Sequence, residues 1–471
     1  MIKEIFQKYQ LPIILKDKMR LFSLPNEKPQ SIYDFLTRYY AFFNDDLNNL
    51  LDSGYFDDEN SAKLRDAKDL ITTFFQDILS SLELYLQGYP AEAYFAFAKK
   101  MDMIQNHLIY KEITKNSDYY FCRIRKDAGK EWKDLFHIPF DRRELVKGYR
   151  YSVSGFPCLY LTGDGGFNSS IRIVDDYSAA LSLAWFECGM PEKFYWSKFR
   201  LKSTEPLKIL DLTRSPFASV SNRSQVYVSK LNKEPVDEFV LKTLITYPLT
   251  AACSIVVQNK DAHFASEYII PQMLLSWVRK NANCRGIAYL SNSRLPYARR
   301  YNAFNIVLPP VSKAQSGHCE KLLSEFDVLE PQQVDVTKIF ESLKDQYDDI
   351  KRYRDRLSDI YKSRLATDSF GEILTICTDF INIYEQVSVE NNNNIEWVYQ
   401  NFHTVNLLAQ RMTTEKYHEL IIDDVRGFLP NDVNAVKISE ELWLGWKSIR
   451  EHIRKFWNFD MLFSRISRIG D

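Results

Sequence analysis

The spacing of apolar residues changes twice along this chain and divides it into three regions. From residue 1 to about 117, apolar side chains recur at helical intervals, as in the stretch that contains Leu70 and Phe74. Between 118 and 312, short β-branched and aromatic runs alternate with turn residues, which is typical of strands. From 313 to 471, helical spacing returns and ends in a Trp-rich segment. We therefore predict an α-helical N-terminal domain, a β-containing core and an α-helical C-terminal domain with these boundaries.

The middle region lacks the regular strand–helix–strand alternation of a doubly wound sheet. Strand-like runs, one of which begins at Cys253, are separated irregularly by the helical stretches 178–187 and 267–281. This order predicts an α+β fold, in which a mixed β core is flanked by helical domains, rather than an α/β fold.

Composition narrows the class of protein without indicating a function. The 471 residues include 61 basic and 62 acidic side chains, so the net charge of −1 gives no sign of nucleic-acid or membrane binding. The seven cysteines include no Cys-x-x-Cys pair, which argues against a zinc site and favours a reducing compartment. The N-terminus is charged, and no apolar run approaches the ~18 residues of a membrane span. These features predict a cytoplasmic protein that does not enter a membrane.

Common nucleotide-binding and hydrolase motifs do not occur in the sequence. It contains no Gly-x-Gly-x-x-Gly, no P-loop, no His-Glu-x-x-His and no Gly-x-Ser-x-Gly. The N-terminal helices are HEPN-like in pattern, but His107 has no arginine at the short spacing that a HEPN ribonuclease requires. We predict that residues 1–117 are non-catalytic and that the chain holds no metal.

Residues suited to a phosphorylated substrate lie along the middle region. Arg123 and Arg125 belong to the run Tyr-Phe-Cys-Arg-Ile-Arg and, two apart on a predicted strand, share one face of it. Arg150, Tyr151 and Ser152 precede a Gly, a Pro and the strand Leu-Tyr-Leu. Arginine binds phosphate through two parallel hydrogen bonds, and tyrosine offers a ring face to a base or a sugar. Both groups are therefore candidate substrate ligands.

Further candidate residues follow in chain order. Tyr160 is the tyrosine of Leu-Tyr-Leu, Glu187 ends a helical stretch, and Ser291 ends the run Cys-Arg-Gly-Ile-Ala-Tyr-Leu-Ser. With these motifs in this order, the segment from about 121 to 308 resembles the RES domain, a family named after its Arg, Glu and Ser positions. The resemblance implies a fold similar to that of diphtheria-toxin-type ADP-ribosyltransferases and cleavage of NAD+ by hydrolysis or phosphorolysis.

The resemblance also implies roles for individual residues. Glu187 would stabilise the positive charge that develops on the ribose when the glycosidic bond breaks, with Arg150 and Tyr160 as further catalytic residues. The implied NAD+-binding residues are Arg123, Arg125, Tyr151, Ser152, Ser254 and Ser291. NAD+ is then a substrate, so no bound cofactor is expected, and inorganic phosphate is a conceivable acceptor.

Two departures from the family pattern leave alternatives open. The interval between Tyr160 and Glu187 is enlarged, and so is the span from 211 to 254. The family serine is therefore either Ser254 or Ser291. Each candidate also has a purely structural alternative, such as a surface charge for Glu187 and core packing for Tyr160.

The leading expectation is an NAD+-degrading enzyme that releases nicotinamide and acts as a toxin or phage-defence effector. Such an enzyme would poison its own cell, so we expect an antitoxin or other regulatory protein as a partner, and self-association of the chain into a homo-oligomer. The alternatives are an ADP-ribosyltransferase that modifies a macromolecule and a catalytically inactive RES-like scaffold or sensor.

Overall fold

The chain forms two compact units. One consists of Met1–Glu187 with Trp196–Gln332, and the other of Cys188–Tyr195 with Gln333–Asp471. The computed structural model describes residues 31–52, 58–115, 120–127, 130–164, 178–214, 236–255, 264–281, 283–291, 303–311, 314–335, 343–361, 369–389, 405, 408–409 and 435–457.

Long amphipathic helices open the described part of the first unit. They are α1 (Ile32–Asp52), α2 (Asp58–Leu86) and α3 (Pro90–Ile104). Their apolar stripes bury Leu36, Phe75 and Phe97 almost completely in one shared core. Pro90 starts α3 at the first helical position, where its missing N–H has no intrahelical partner to lose.

The strands of a mainly antiparallel sheet lie largely in the first unit. Its strands are β1 (Tyr110–Ile113), β2 (Tyr120–Arg125), β3 (Leu159–Asp164), β4 (Lys193–Leu201), β5 (Leu207–Asp211), β6 (Gly286–Tyr289), β7 (Phe304–Leu308), β8 (Phe326–Val328) and β9 (Gln332–Asp335). The strand order is β1-β5-β6-β7-β3-β2-β4-β8, and β9 pairs with β4. Strands β5 and β6 run parallel, whereas β1–β5, β6–β7, β7–β3, β3–β2 and β4–β8 are antiparallel.

The remaining α-helices in the described part of the first unit are α4 (Trp132–Leu135), α5 (Ser178–Glu187), α6 (Val236–Cys253), α7 (Ile269–Lys280) and α8 (Glu320–Glu325). Helix α5 is apolar on all sides, and its residues from Ala180 to Phe186 are all buried, as expected of a helix enclosed in a core. It packs on β2 and β3, while α6 packs on α2 and α7 packs on α3.

The two faces of the sheet contact different cores. Ile287 and Val307 pack with the helices α1, α2, α3, α6 and α7, and we call this side the helix face. Ala288 and Ile306 belong to a second core on the opposite face. Because side chains alternate along a strand, Tyr160, Tyr289 and Asn305 lie on the helix face.

Polar side chains form a row across the strands on the helix face. The register pairs Cys122 of β2 with Thr162 of β3, Thr162 with Asn305 of β7, and Asn305 with Tyr289 of β6. We call these four residues the polar row. Polar groups in the interior of a sheet need hydrogen-bond partners, and Cys122 Sγ lies 3.2 Å from Thr162 Oγ1.

Helices dominate the described part of the second unit. They are α9 (Leu343–Tyr361), α10 (Ser369–Val389) and α11 (Ala435–Trp457). Tyr353 of α9 donates a hydrogen bond to the carbonyl oxygen of Leu442 in α11 at 2.8 Å. Its ring lies against Gly445, where a Cβ atom would come within 2.7 Å of the ring. The close approach of α9 and α11 therefore depends on glycine at this position.

The α+β class predicted from the sequence is confirmed by this mixture of helices and a mainly antiparallel sheet. The RES identity of the core and the three domain boundaries stay predictions. One strand prediction is wrong, because Cys253 ends α6 instead of beginning a strand. A short buried apolar run has the same pattern in a helix as in a strand, so its period does not separate the two. Strands β8 and β9 lie in the region predicted to be helical.

No helix within the described residues is long and apolar enough to cross a lipid bilayer.

Candidate active site

Arg150 occupies a short loop that several contacts hold in place. The N–H of Tyr149 donates to the carbonyl oxygen of Ser152 at 2.8 Å and closes the loop around Arg150. Arg150 Nη1 donates to the carbonyl oxygen of Cys253, the last residue of α6, at 3.1 Å. The guanidinium carbon lies 5.4 Å from the centre of the Tyr268 ring, within range of a cation–π contact. The cation is thus oriented by a carbonyl on one element and a ring on another.

Tyrosine hydroxyls and rings adjoin this loop. Tyr160 OH lies 2.9 Å from Ser152 Oγ, and the rings of Tyr151 and Tyr289 have centres 4.6 Å apart. Burial is the main cause that raises the pKa of Tyr151, Tyr160 and Tyr289. The three hydroxyls are therefore protonated at neutral pH and can act as hydrogen-bond donors.

Glu187 is the last residue of α5 and is held by two buried side chains. Ser291 Oγ donates a short hydrogen bond to Glu187 Oε1, and Asn305 Nδ2 donates to the same oxygen at 3.2 Å. Ser291 is 4% and Asn305 7% exposed, whereas Glu187 itself is exposed. Within the described part of the chain, no hydrogen bond reaches Oε2 of Glu187. The carboxylate is thereby anchored through Oε1, while Glu187 is exposed.

The charges of both Glu187 and Arg150 act on the pKa of Tyr289. Beyond the effect of burial, the negative charge of Glu187 raises the pKa of Tyr289 and the positive charge of Arg150 lowers it. Both charges therefore lie close enough to act on one hydroxyl group. Since Tyr289 and Asn305 belong to the polar row, the cation, the anion and the tyrosines gather on the helix face of the sheet.

One curated protein resembles this chain over most of its length. The chain is similar to the Bacillus subtilis (strain 168) protein named "Putative toxin YopC". The two are 31% identical over 311 residues, which are 63% of this chain and 64% of that protein. The chain thus covers less than two thirds of its relative. No protein-family model and no solved structure matches the chain.

The structure brings six of the nine predicted residues into this neighbourhood. They are Arg150, Tyr151, Ser152, Tyr160, Glu187 and Ser291. Ser254 follows Cys253, and its N–H donates to the carbonyl oxygen of Ala251 at 3.1 Å. Ser291, in contrast, touches Glu187 directly. The geometry therefore favours Ser291 as the serine that acts with Glu187, and the catalytic roles themselves stay predictions.

Arg123 and Arg125 lie apart from this group. Phe121 belongs to the core opposite the helix face, and residues two apart on β2 share its side. Arg123 Nη1 donates to the carbonyl oxygen of Phe136 at 2.9 Å. The side chain of Arg123 is thus on the other face of the sheet from Tyr160, and the structure does not combine it with Arg150 in one phosphate site.

Several residues near Glu187 and Arg150 were not singled out from the sequence. They are Asn305, Tyr289, Tyr268 and Gln272. Asn305 had a detectable signal, because an asparagine inside the apolar run Ala-Phe-Asn-Ile-Val-Leu is a buried polar residue that needs a partner. The other three had none, since their contacts come from distant segments.

No group of three or more His, Cys, Asp or Glu side chains within the described residues converges as a metal site would. His137, which is fully buried, has a structural role. Its Nε2 accepts a hydrogen bond from the N–H of Cys319 at 2.8 Å, and its Nδ1 donates to the carbonyl oxygen of Ile138 at 2.7 Å. Burial lowers the pKa of His137 to about 4, so the ring is neutral.

Proposed function

We propose that this chain is a toxin that destroys NAD+ by breaking the bond between nicotinamide and ribose. The observation that carries the proposal is the exposed carboxylate of Glu187, held through Oε1 by Ser291 and Asn305. Similarity to a protein named as a toxin supports the biological role. The RES-like order of motifs supports the substrate.

For this reaction the protein mainly has to place a charged group beside the ribose. When the glycosidic bond breaks, its electron pair moves to the nicotinamide nitrogen, which loses its positive charge, and the ribose acquires oxocarbenium character. A fixed carboxylate beside the ribose stabilises that positive charge, as in glycoside hydrolysis. Water or inorganic phosphate then forms the new bond to the same carbon and gives up a proton to solvent. Glu187 would supply the charge because its two donors prevent it from turning away.

Arg150 would bind an anionic part of the substrate. Its guanidinium group uses one N–H for the carbonyl of Cys253 and rests on the ring of Tyr268. A guanidinium carries five N–H donors in a planar fork, a geometry that binds a pyrophosphate or an attacking phosphate through two parallel hydrogen bonds. The neutral hydroxyl of Tyr160 would contact the sugar or the nicotinamide, and the buried ring of Tyr151 would support the site from below through Tyr289.

The test is NAD+ loss by the purified full chain, with products identified by mass spectrometry in the presence and absence of inorganic phosphate. We expect nicotinamide in both cases, with ADP-ribose or its 1-phosphate as the second product. Labelled NAD+ that marks a macromolecule instead would indicate transfer, and no consumption with any cellular activator added would indicate a scaffold.

Site variants with matched controls assign the chemistry to these residues. Glu187→Gln keeps shape and removes charge, and we expect a loss of at least about a hundredfold in kcat, the scale of losing one electrostatic contact to a transition state. Glu205→Gln changes an exposed carboxylate between β4 and β5 and serves as its control. Arg150→Ala is paired with Arg142→Ala, which is exposed. NAD+ loss that is unaltered by both site variants would remove this assignment.

A further inference from the structure

Helix α7 contacts the Arg150 loop through one glutamine. Gln272 Nε2 donates to the carbonyl oxygen of Tyr149 at 3.1 Å and lies 3.5 Å from that of Ser152. Both neighbours are acceptors, so the amide must present its NH2 group to them. The glutamine thus bridges the two ends of the loop whose middle contains Arg150.

The same helix carries the ring under the guanidinium group. Tyr268 immediately precedes α7, and Gln272 follows four residues later, so the two side chains lie on one face of the helix. Tyr268 contacts the Arg150 side chain, while Gln272 contacts the backbone on either side of it. Toward the end of α7, the guanidinium of Arg279 lies 4.3 Å from the ring centre of Phe156, farther along the same loop segment.

The other side of α7 is fastened to the N-terminal helices. Trp277 Nε1 donates to Asp102 Oδ1 of α3 at 2.7 Å. Just beyond the helix, Asn281 Nδ2 donates to Gln105 Oε1 at 3.1 Å. Helix α7 also shares a packed core with α3, in which Leu274 and Trp277 are buried, so it is a firm support for the loop.

We propose that Gln272 is a positioning residue, which acts through Arg150 by holding the loop 149–152 against α7. The proposal rests on the function proposed above for Arg150. It also gives the N-terminal helices a part in the site, since they hold the helix that holds the loop. Loss of one neutral hydrogen bond corresponds to a roughly two- to tenfold change in an equilibrium constant.

The test uses the full chain with Gln272→Met, which keeps the length of the side chain and removes its donor. Gln87→Met is the matched control, because Gln87, just beyond the end of α2, is exposed and its side chain donates to Glu83 of that helix. Hydrogen exchange of the 146–156 peptide should be roughly two- to tenfold faster in Gln272→Met and unchanged in Gln87→Met. Equal exchange in wild type and Gln272→Met would overturn the proposal.

Enzyme kinetics test whether Gln272 acts through Arg150. We expect Gln272→Met to lower kcat/KM for NAD+ by a similar factor, mainly through KM, and to cause no further loss in an Arg150→Ala background. The same loss in both backgrounds would overturn the positioning role. If Gln272→Met does not fold, Gln272→Glu, which keeps the shape but repels both carbonyls, takes its place. A wild-type chain that leaves NAD+ intact would refute the proposed function, and the hydrogen-exchange comparison alone would then decide whether Gln272 holds the loop.

Discussion

Replacing Asp211 by Asn should destabilise the first unit far more than replacing its partner Lys111 by Met. Asp211 is completely buried at the end of β5, where it accepts hydrogen bonds from the N–H of Thr213 at 3.0 Å and from Arg214 Nε at 2.9 Å. Lys111 Nζ lies 4.0 Å from Asp211 Oδ2 and 3.8 Å from the ring centre of Phe304. The carboxylate thus accepts from Thr213 and Arg214 at short range, whereas Lys111 lies farther from it.

The magnitude follows from two arguments. Burial alone would raise the pKa of Asp211, but Lys111, Arg214 and Thr213 together outweigh it and hold the pKa at about 2. A shift of about two units from the unfolded value corresponds to about 2.5 kcal/mol of stability at neutral pH. Breaking a buried ion pair from one side costs about 3–5 kcal/mol. We therefore expect Asp211→Asn to cost about 3 kcal/mol.

Lys111→Met should cost less than about 1 kcal/mol. Burial lowers the pKa of Lys111 to about 8 in spite of the attraction of Asp211. Keeping the lysine charged at this buried position therefore costs stability. An apolar side chain of similar volume removes that desolvation, and Asp211 keeps Arg214 and Thr213.

Urea unfolding followed by fluorescence measures both variants. Because the folded pKa of Asp211 lies below its unfolded value, its contribution is present above about pH 4 and is lost as pH falls toward 2. The difference between wild type and Asp211→Asn should therefore shrink on acidification. A difference that stays constant with pH, or a Lys111→Met variant as unstable as Asp211→Asn, would contradict the reasoning.

Two further predictions concern the site and the opposite core. Ser291→Ala and Asn305→Leu should each lower kcat/KM for NAD+ about tenfold. This factor corresponds to the low end of the free-energy range for a hydrogen bond to a charged group. Because both donate to Oε1 of Glu187, the double variant should lose less than the product of the two, and strict additivity in the cycle would argue against a shared role. The pKa of His137 is lowered to about 4, so its contribution to stability is full above about pH 6.5 and roughly 3 kcal/mol is lost as pH falls toward 4. His137→Leu should be less stable at pH 7, since it leaves the N–H of Cys319 without its acceptor. Between pH 6.5 and 4, however, its free energy of unfolding should change less with pH than that of the wild type. An equally steep decrease in the variant would show that another group titrates.

Much of the fold could be predicted because its elements are locally periodic. The helical stretch predicted over 178–187 is α5, and the one over 267–281 contains α7. Helix α6 could not be predicted in the same way, because Pro248 lies inside it and its end is a short apolar run that fits strand or helix. The strand order is not local either, since it depends on pairings between distant segments.

In the candidate site, too, the residues that belong to local motifs could be predicted, whereas contacts between distant segments could not. Arg150, Tyr160 and Glu187 were chosen from motif order, and the structure places them on one side of the sheet. Arg123 was chosen in the same way, yet strand alternation puts it on the other side, which motif order does not reveal. The support of Arg150 by Gln272 joins segments over a hundred residues apart, so no local pattern contains it.

The release of nicotinamide by the purified full chain is the direct test of NAD+ cleavage at Glu187. With NAD+ as substrate, we expect one nicotinamide for each NAD+ lost, an intact rate in Glu205→Gln and a rate at least about a hundredfold lower in Glu187→Gln. NAD+ loss at the wild-type rate in Glu187→Gln, or no nicotinamide from the wild-type chain together with its cellular activators, would contradict it.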